Sequence, residues 1–186
     1  MPFLLHAPTM GVGVPFNGTP TPMVGACNKN GIYYAFAQAN LSGGPVWQDR
    51  ITVPYPGGGL ECDSAAIWNG TSLIETGGAQ STPSDPAKSG SIQSLDPATG
   101  AVNWMTHLDG TIVGSPTEDG SGVVTAQVYL SSTNQLGVYL VDASTGAVIG
   151  FISTPGANLF GQAVFAGSDL FLAATGYGLT DYSVGP

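Results

Sequence analysis

Apolar and polar residues alternate in short runs along most of the chain, as in Gly31-Ile32-Tyr33-Tyr34-Ala35-Phe36 and Gly122-Val123-Val124-Thr125-Ala126-Gln127-Val128-Tyr129-Leu130. The runs are rich in β-branched and aromatic side chains and are bounded by Gly, Asn, Asp or Pro. That is the make-up of short strands with at least one buried face. No stretch of ten or more residues keeps a 3.6-residue apolar period with caps, so helix content is expected to be minor. The 28 glycines and 14 prolines follow no collagen-like period and punctuate many short elements. The expected class is all-β.

The pattern repeats. Leu95-Asp96-Pro97-Ala98-Thr99-Gly100-Ala101-Val102 returns 46 residues later as Val141-Asp142-Ala143-Ser144-Thr145-Gly146-Ala147-Val148. Val113-Gly114-Ser115-Pro116 lines up with Phe160-Gly161-Gln162-Ala163 at a shift of 47. A weaker copy sets Pro45-Val46-Trp47 over Val102-Asn103-Trp104 at a shift of 57, the extra length being an inserted surface loop at 80–90. In the two close copies an Asp (Asp96, Asp142) opens the turn and caps it through its side chain. A Gly (Gly100, Gly146) closes it, free to take positive φ. Each segment reads as a tight reverse turn between antiparallel strands.

A unit of about 46 residues with four strands is the size of one propeller blade. A sheet that small cannot bury both faces alone, so its neighbours must stack on it. The expected units are about 21–51, 60–108, 110–153 and 159–183, roughly three and a half four-stranded antiparallel blades of a partial ring. The last lacks its outer strand unless the N-terminal residues supply it.

The segment Ser94-Leu95-Asp96-Pro97-Ala98-Thr99-Gly100-Ala101-Val102-Asn103-Trp104 resembles the signature of the pyrroloquinoline-quinone-type (PQQ-like) repeat family, an Ala/Leu-Asp-x-x-Thr-Gly-x-x-x-Trp pattern. The resemblance covers the chain from about Pro22 to Tyr182. It implies a β-propeller whose Trp docks between adjacent blades, a role it carries to Trp104 and, through the weaker copy, to Trp47. The third copy departs from the pattern, with Gly150 where the Trp is expected. Complete members are similar to closed rings of about eight blades. Half a ring exposes apolar blade faces and is expected to associate. The chain is then a piece of a longer protein or one of two copies that close a ring; the first is favoured because no edge protection is visible.

Charge narrows the partners. Three Lys and Arg stand against 12 Asp and Glu, a formal net charge of -9. Lys29, Arg50 and Lys88 are scattered, so nothing resembles the basic cluster that nucleic acid or an anionic membrane surface demands. No apolar run approaches the roughly 18 residues of a membrane span. The start, Met1-Pro2-Phe3-Leu4-Leu5-His6-Ala7-Pro8, lacks the basic and long apolar regions of a signal peptide, so the expectation is an artificial start or a piece of a longer secreted protein. Cys27 and Cys62 cannot form a four-ligand metal site by themselves. They are either two buried thiols or a disulfide. Stacked blades can bring them within the roughly 4.4–6.8 Å Cα separation a disulfide needs, which suits an extracytoplasmic, oxidising setting.

The resemblance also implies candidate chemistry. Family members that are quinoprotein dehydrogenases hold pyrroloquinoline quinone at the ring centre beside calcium. Their ligand set does not map onto this chain, and the vicinal cysteine pair of many such enzymes is absent. Glu61 and Asp63, flanking Cys62, are the one acidic pair that invites comparison, as hard oxygen ligands for Ca²⁺. Solvated turn carboxylates are the stronger reading, and Glu118-Asp119-Gly120 is likewise read as a turn. His6 and His107 are too few for a His-rich metal site, and neither Gly-x-Ser-x-Gly nor a phosphate-cradling Gly-x-x-x-x-Gly-Lys-Ser/Thr occurs. No catalytic residue is assigned. The expected function is an extracytoplasmic binding or scaffolding segment that engages a protein or small-molecule ligand at the propeller face through its loops. The alternative is part of a quinoprotein oxidoreductase acting on an alcohol or sugar, which quinone uptake by the purified chain distinguishes.

Overall fold

The computed structural model describes residues 14–52, 62, 64–77, 90–112, 114–130, 136–156 and 162–183. They form four stacked antiparallel blades of a partial β-propeller. The first blade contains the hairpin β1 (Val14–Phe16) and β2 (Thr19–Thr21), followed by β3 (Met23–Asn28), β4 (Ile32–Ala37) and β5 (Trp47–Arg50). Pro22, which has no N–H to give to a ladder, separates β2 from β3. A short 3-10 segment, Gln38–Gly43, connects β4 to β5. The second blade is the sheet β6 (Ile67–Trp68), β7 (Leu73–Gly77), β8 (Gly90–Leu95) and β9 (Val102–Leu108), in that order.

In the third blade β10 (Thr111–Ile112) and β11 (Thr117–Glu118) both pair with β12 (Val123–Leu130), which continues to β13 (Gly137–Asp142) and β14 (Val148–Ser153). The fourth holds β15 (Val164–Ala166), β16 (Asp169–Ala174) and β17 (Gly178–Ser183). Successive inner strands converge. The Thr117 hydroxyl at β11 donates to the Ala163 carbonyl before β15 at 2.7 Å, and the Ser115 hydroxyl accepts from the Ala65 N–H before β6 at 2.8 Å.

The core consists of three seams between blades rather than one centre. Leu73 and Leu95 join Met23, Tyr33 and Ile51 in the first seam. Their strand neighbours Ile74 and Ser94 point the other way, and Ile74 and Ile92 pack with Leu108, Val124, Ala126 and Val128 in the second. Val138, Ala163, Leu170 and Leu172 make the third. Side chains alternate across a strand, so a middle strand caught between two blades is buried on both faces. All of β7 and β8 are buried for this reason, including Glu75, Ser91 and Gln93.

The repeated turns hold the seams in register. Asp96 Oδ1 accepts from the Ala98 and Thr99 N–H groups at 2.8 and 2.9 Å, and Asp142 Oδ1 accepts from those of Ser144 and Thr145, both at 2.9 Å. Gly100 and Gly146 close the turns at φ 77° and 74°. Onto these turns the previous blade's outer strand lays its indole. Trp47 Nε1 donates to the Pro97 carbonyl and Trp104 Nε1 to the Ala143 carbonyl, each at 2.9 Å. A Cβ at Gly100 or Gly146 would stand 2.5 Å from the ring, so both glycines are needed for space as well as for φ.

Trp104→Ala is expected to cost about 3 kcal/mol, as large-to-small changes at packed positions do. Trp104→Phe, which keeps most of the packing, loses only about 1 kcal/mol with the indole bond. Denaturant midpoints of the two variants check this; equal losses would show that the hydrogen bond, not the ring, locks the seam.

Cys27 on β3 and Cys62, in the connection to the second blade, form a disulfide with a Cα separation of 5.6 Å. The bridge spans the first seam, where Cys62 is buried.

Candidate functional site

In the second and third blades the inner-to-next and third-to-outer turns emerge on the same face. Between the second and third blades they enclose a cleft of about 530 Å³. The β6–β7 turn contributes Asn69, Thr71 and Ser72, and the β8–β9 hairpin contributes Ser94, Asp96, Asn103 and Trp104. Across from them stand Glu118, Ser121 and Gly122 around the β11–β12 turn, and Asp142, Ala143 and Ser144 at the β13–β14 turn.

The local sequences dictate these turns. Asn69 folds its own turn, its Oδ1 accepting from the Thr71 and Ser72 N–H groups at 3.1 and 2.9 Å. Asp119 does the same for Ser121 and Val123, both at 2.8 Å. Burial pushes the Asp119 carboxyl up, but the Val123 and Ser121 hydrogen bonds outweigh it and hold the group below the usual range. The Ser144 and Thr145 hydroxyls hold Asp142 down in the same way.

The lining is rich in acceptors. It carries the carboxylates Asp96, Glu118 and Asp142, and neither Lys nor Arg. Glu118 Oε1 accepts from Asn69 Nδ2 across the seam at 3.3 Å, while its Oε2 is buried with no hydrogen-bond partner. The half-buried Trp104 supplies the apolar part of the lining. Such a cleft is not the mostly apolar cavity typical of small-molecule sites. It suits a ligand that brings donors or positive charge.

A second polar cluster lies inside the first seam. The Ser64 hydroxyl donates to Glu75 Oε1 and accepts from the Thr76 hydroxyl at 2.8 Å. Gln93, opposite Glu75 in the ladder, reaches the Ile51 carbonyl of the first blade at 3.4 Å. Glu75 Oε2, Ser91 Oγ and Gln93 Oε1 are buried with no hydrogen-bond partner. Burial pushes the Glu75 carboxyl up to about 8, against the opposing hydrogen bonds from Ser64 and Thr76. Burial, and then the Glu75 charge, push the Tyr33 hydroxyl up as well. A carboxyl shut between blades and facing Tyr33 is a structural group rather than a reactive one.

The residues singled out in the sequence fall in two places. Trp47, Trp104, Asp96, Gly100, Asp142 and Gly146 meet at the turns that dock blade on blade, and Asp96, Trp104 and Asp142 also line the cleft. They stand on or beside the outermost strands, where the indoles and turns dock one blade on the next. Glu61 and Asp63, the candidate calcium ligands, lie outside the described residues. Among the described residues no group of three or more His, Cys, Asp or Glu is arranged to hold a metal ion. No helix among them is long and apolar enough to cross a membrane. Glu75, Gln93 and the cleft role of Asn69 were not anticipated. The one available sign was a carboxylate inside the apolar run Leu73-Ile74-Glu75.

No protein-family profile matches the chain, and no curated protein sequence is significantly similar to it. Solved structures do resemble it. BamB from Moraxella catarrhalis superposes with a TM-score of 0.62 at 16% identity, over 87% of this chain and 45% of that one. The WD40 β-propeller domain of Doa1 gives 0.60 at 8% identity, over 87% and 46%. The computationally designed Ika4 protein gives 0.60 at 11% identity, over 88% and 86%. The chain thus spans just under half the length of BamB and of the Doa1 chain. At these identities the likeness establishes the propeller fold.

Proposed function

We propose that the chain acts as a binding or scaffolding module that holds a partner polypeptide on the turn face of its blades. The cleft between the second and third blades carries this reading, because four turns from two blades converge there and present three carboxylates and no basic residue. With a formal net charge of -9 behind it, the cleft favours a segment bearing Lys or Arg, steered by long-range attraction. Each blade rests on its neighbours, so the turns are fixed before a ligand arrives and little ordering cost is left at binding. The Cys27–Cys62 disulfide supports an extracytoplasmic setting.

Titrating the chain with short Lys- and Arg-containing peptides, and with Glu- and Asp-containing counterparts, tests the reading. The basic peptides are expected to bind, and more weakly as salt rises. Asn103→Tyr, which fills the cleft from an exposed position, is expected to weaken binding roughly tenfold or more, a loss of about 1.4 kcal/mol. Equal binding of acidic and basic peptides, or binding indifferent to Asn103→Tyr, would remove the cleft as the site.

A further inference from the structure

Three buried oxygens without partners lie along one row of the first seam. β7 and β8 pair as Leu73↔Leu95, Glu75↔Gln93 and Gly77↔Ser91. Residues two apart on a strand share a face, and so do residues directly opposite each other. All six therefore lie on the face turned to the first blade, where Leu73 and Leu95 pack with Tyr33 and Ile51. Beyond the leucines stand Glu75, Gln93 and Ser91, each 0% exposed. Glu75 Oε2, Gln93 Oε1 and Ser91 Oγ have no hydrogen-bond partner.

The other polar atoms of the row are engaged. Ser64 Oγ donates to Glu75 Oε1, and Gln93 Nε2 donates to the Ile51 carbonyl at 3.4 Å. Gly77 brings no side chain, and a Cβ there would collide with Ser91 Oγ and stand 3.5 Å from the Ile51 carbonyl oxygen. Buried side-chain oxygens are ordinarily paired, and leaving one bare is costly. Three on neighbouring positions of one face point to a shared partner.

We propose that a single internal water joins Glu75 Oε2, Gln93 Oε1 and Ser91 Oγ as a fixed part of the first seam. The number of oxygens decides for water. An internal water makes about three hydrogen bonds to groups otherwise unsatisfied, whereas calcium takes roughly six to eight oxygens. The protons balance as well. Burial holds the Glu75 carboxyl protonated up to about 8, so Oε2–H donates to the water. The water gives its own two hydrogens to Gln93 Oε1 and Ser91 Oγ, and all three oxygens are paired. Through Gln93 the network reaches the Ile51 carbonyl of the first blade. Through Ser64 it reaches the Thr76 hydroxyl, 3.2 Å from the Gly114 carbonyl oxygen of the third. A polar network satisfied in this way stiffens the stack at the blade that both neighbours rest on.

A high-resolution crystal structure of the full chain is expected to show one peak within roughly 2.7–3.2 Å of all three oxygens. In solution, water magnetic relaxation dispersion is expected to count one long-lived water fewer in the variant carrying both Ser91→Ala and Gln93→Met. The near-ultraviolet signals of the blade tryptophans, unchanged, show that this variant is folded. No peak at the site, a peak with five or more oxygen neighbours, or a folded variant that keeps the wild-type water count would each overturn the proposal.

Discussion

Reducing the bridge between Cys27 and Cys62 is expected to lower the stability of the first seam by about 4 kcal/mol. The two cysteines are 35 residues apart, and cross-linking a loop of that length removes about this much chain entropy from the unfolded state. The covalent tie also crosses from β3 of the first blade to the connection that enters the second, so it acts on blade-to-blade docking as well as on a local loop. Blade arrays are stabilised mainly by nearest-neighbour contacts, and their seams can open separately.

The loss should therefore be local. Trp47 sits in the first seam, stacked on Tyr33 with ring centroids 5.6 Å apart, whereas Trp104 locks the second. Denaturant unfolding with single-tryptophan variants, with and without reductant, separates the two. The Trp47 transition is expected to move to lower denaturant under reductant while the Trp104 transition moves less. The variant with both Cys27→Ala and Cys62→Ala should behave as the reduced chain does, because the side chains themselves contribute little beyond the bond. Coincident transitions unaffected by reductant would show that the bridge carries no part of the docking.

The sequence announces the blades because turns and outer strands meet water and keep a polar signature. Asp96-Pro97-Ala98-Thr99-Gly100 and its copy at Asp142 are legible because a capping carboxylate, a hydroxyl and a positive-φ glycine are all required by one turn. Trp47 and Trp104 are legible because an indole landing on a glycine leaves a fixed spacing within each repeat. Gly150 shows the limit of the pattern. It breaks the Trp repeat, yet β14 still forms and leaves Val148, Ile149 and Phe151 exposed. The polar seam was not legible. Period-two reasoning assigns one face of a strand to water, but β7 and β8 are covered on both sides, so Glu75, Ser91 and Gln93 look like solvent positions and are not. The cleft was hidden for a different reason. Asn69, Asn103, Glu118 and Asp142 each have an ordinary local role in a turn or hairpin, and only the stacking of two blades brings them to one opening.

The buried carboxyl of Glu75 makes stability depend on pH in a direction opposite to that of an ion-paired acid. Unfolded, the group ionises near its ordinary 4.5; folded, burial holds the proton until about 8. Below 4.5 both states are protonated and the folded chain suffers no penalty. Between the two values the unfolded state releases a proton that the folded state must keep, so folding weakens by about 1.4 kcal/mol per pH unit. Across the whole interval the loss comes to about 5 kcal/mol, after which both states are ionised and the slope ends. Asp119 and Asp142 act with the opposite sign, since their folded carboxyls are held below the usual range and their contribution fades only as pH falls through it. The chain is therefore expected to be most stable in mildly acidic solution and to weaken toward pH 8. Glu75→Gln removes the proton equilibrium while keeping the shape, and at Oε1 it still accepts from Ser64. Its stability curve should be nearly flat between pH 5 and 8, crossing the wild-type curve and lying above it at the alkaline end. If the variant kept the wild-type slope, the titrating group would be another residue, and the Ser64–Glu75 contact would be a hydrogen bond of an already ionised side chain that reaches water.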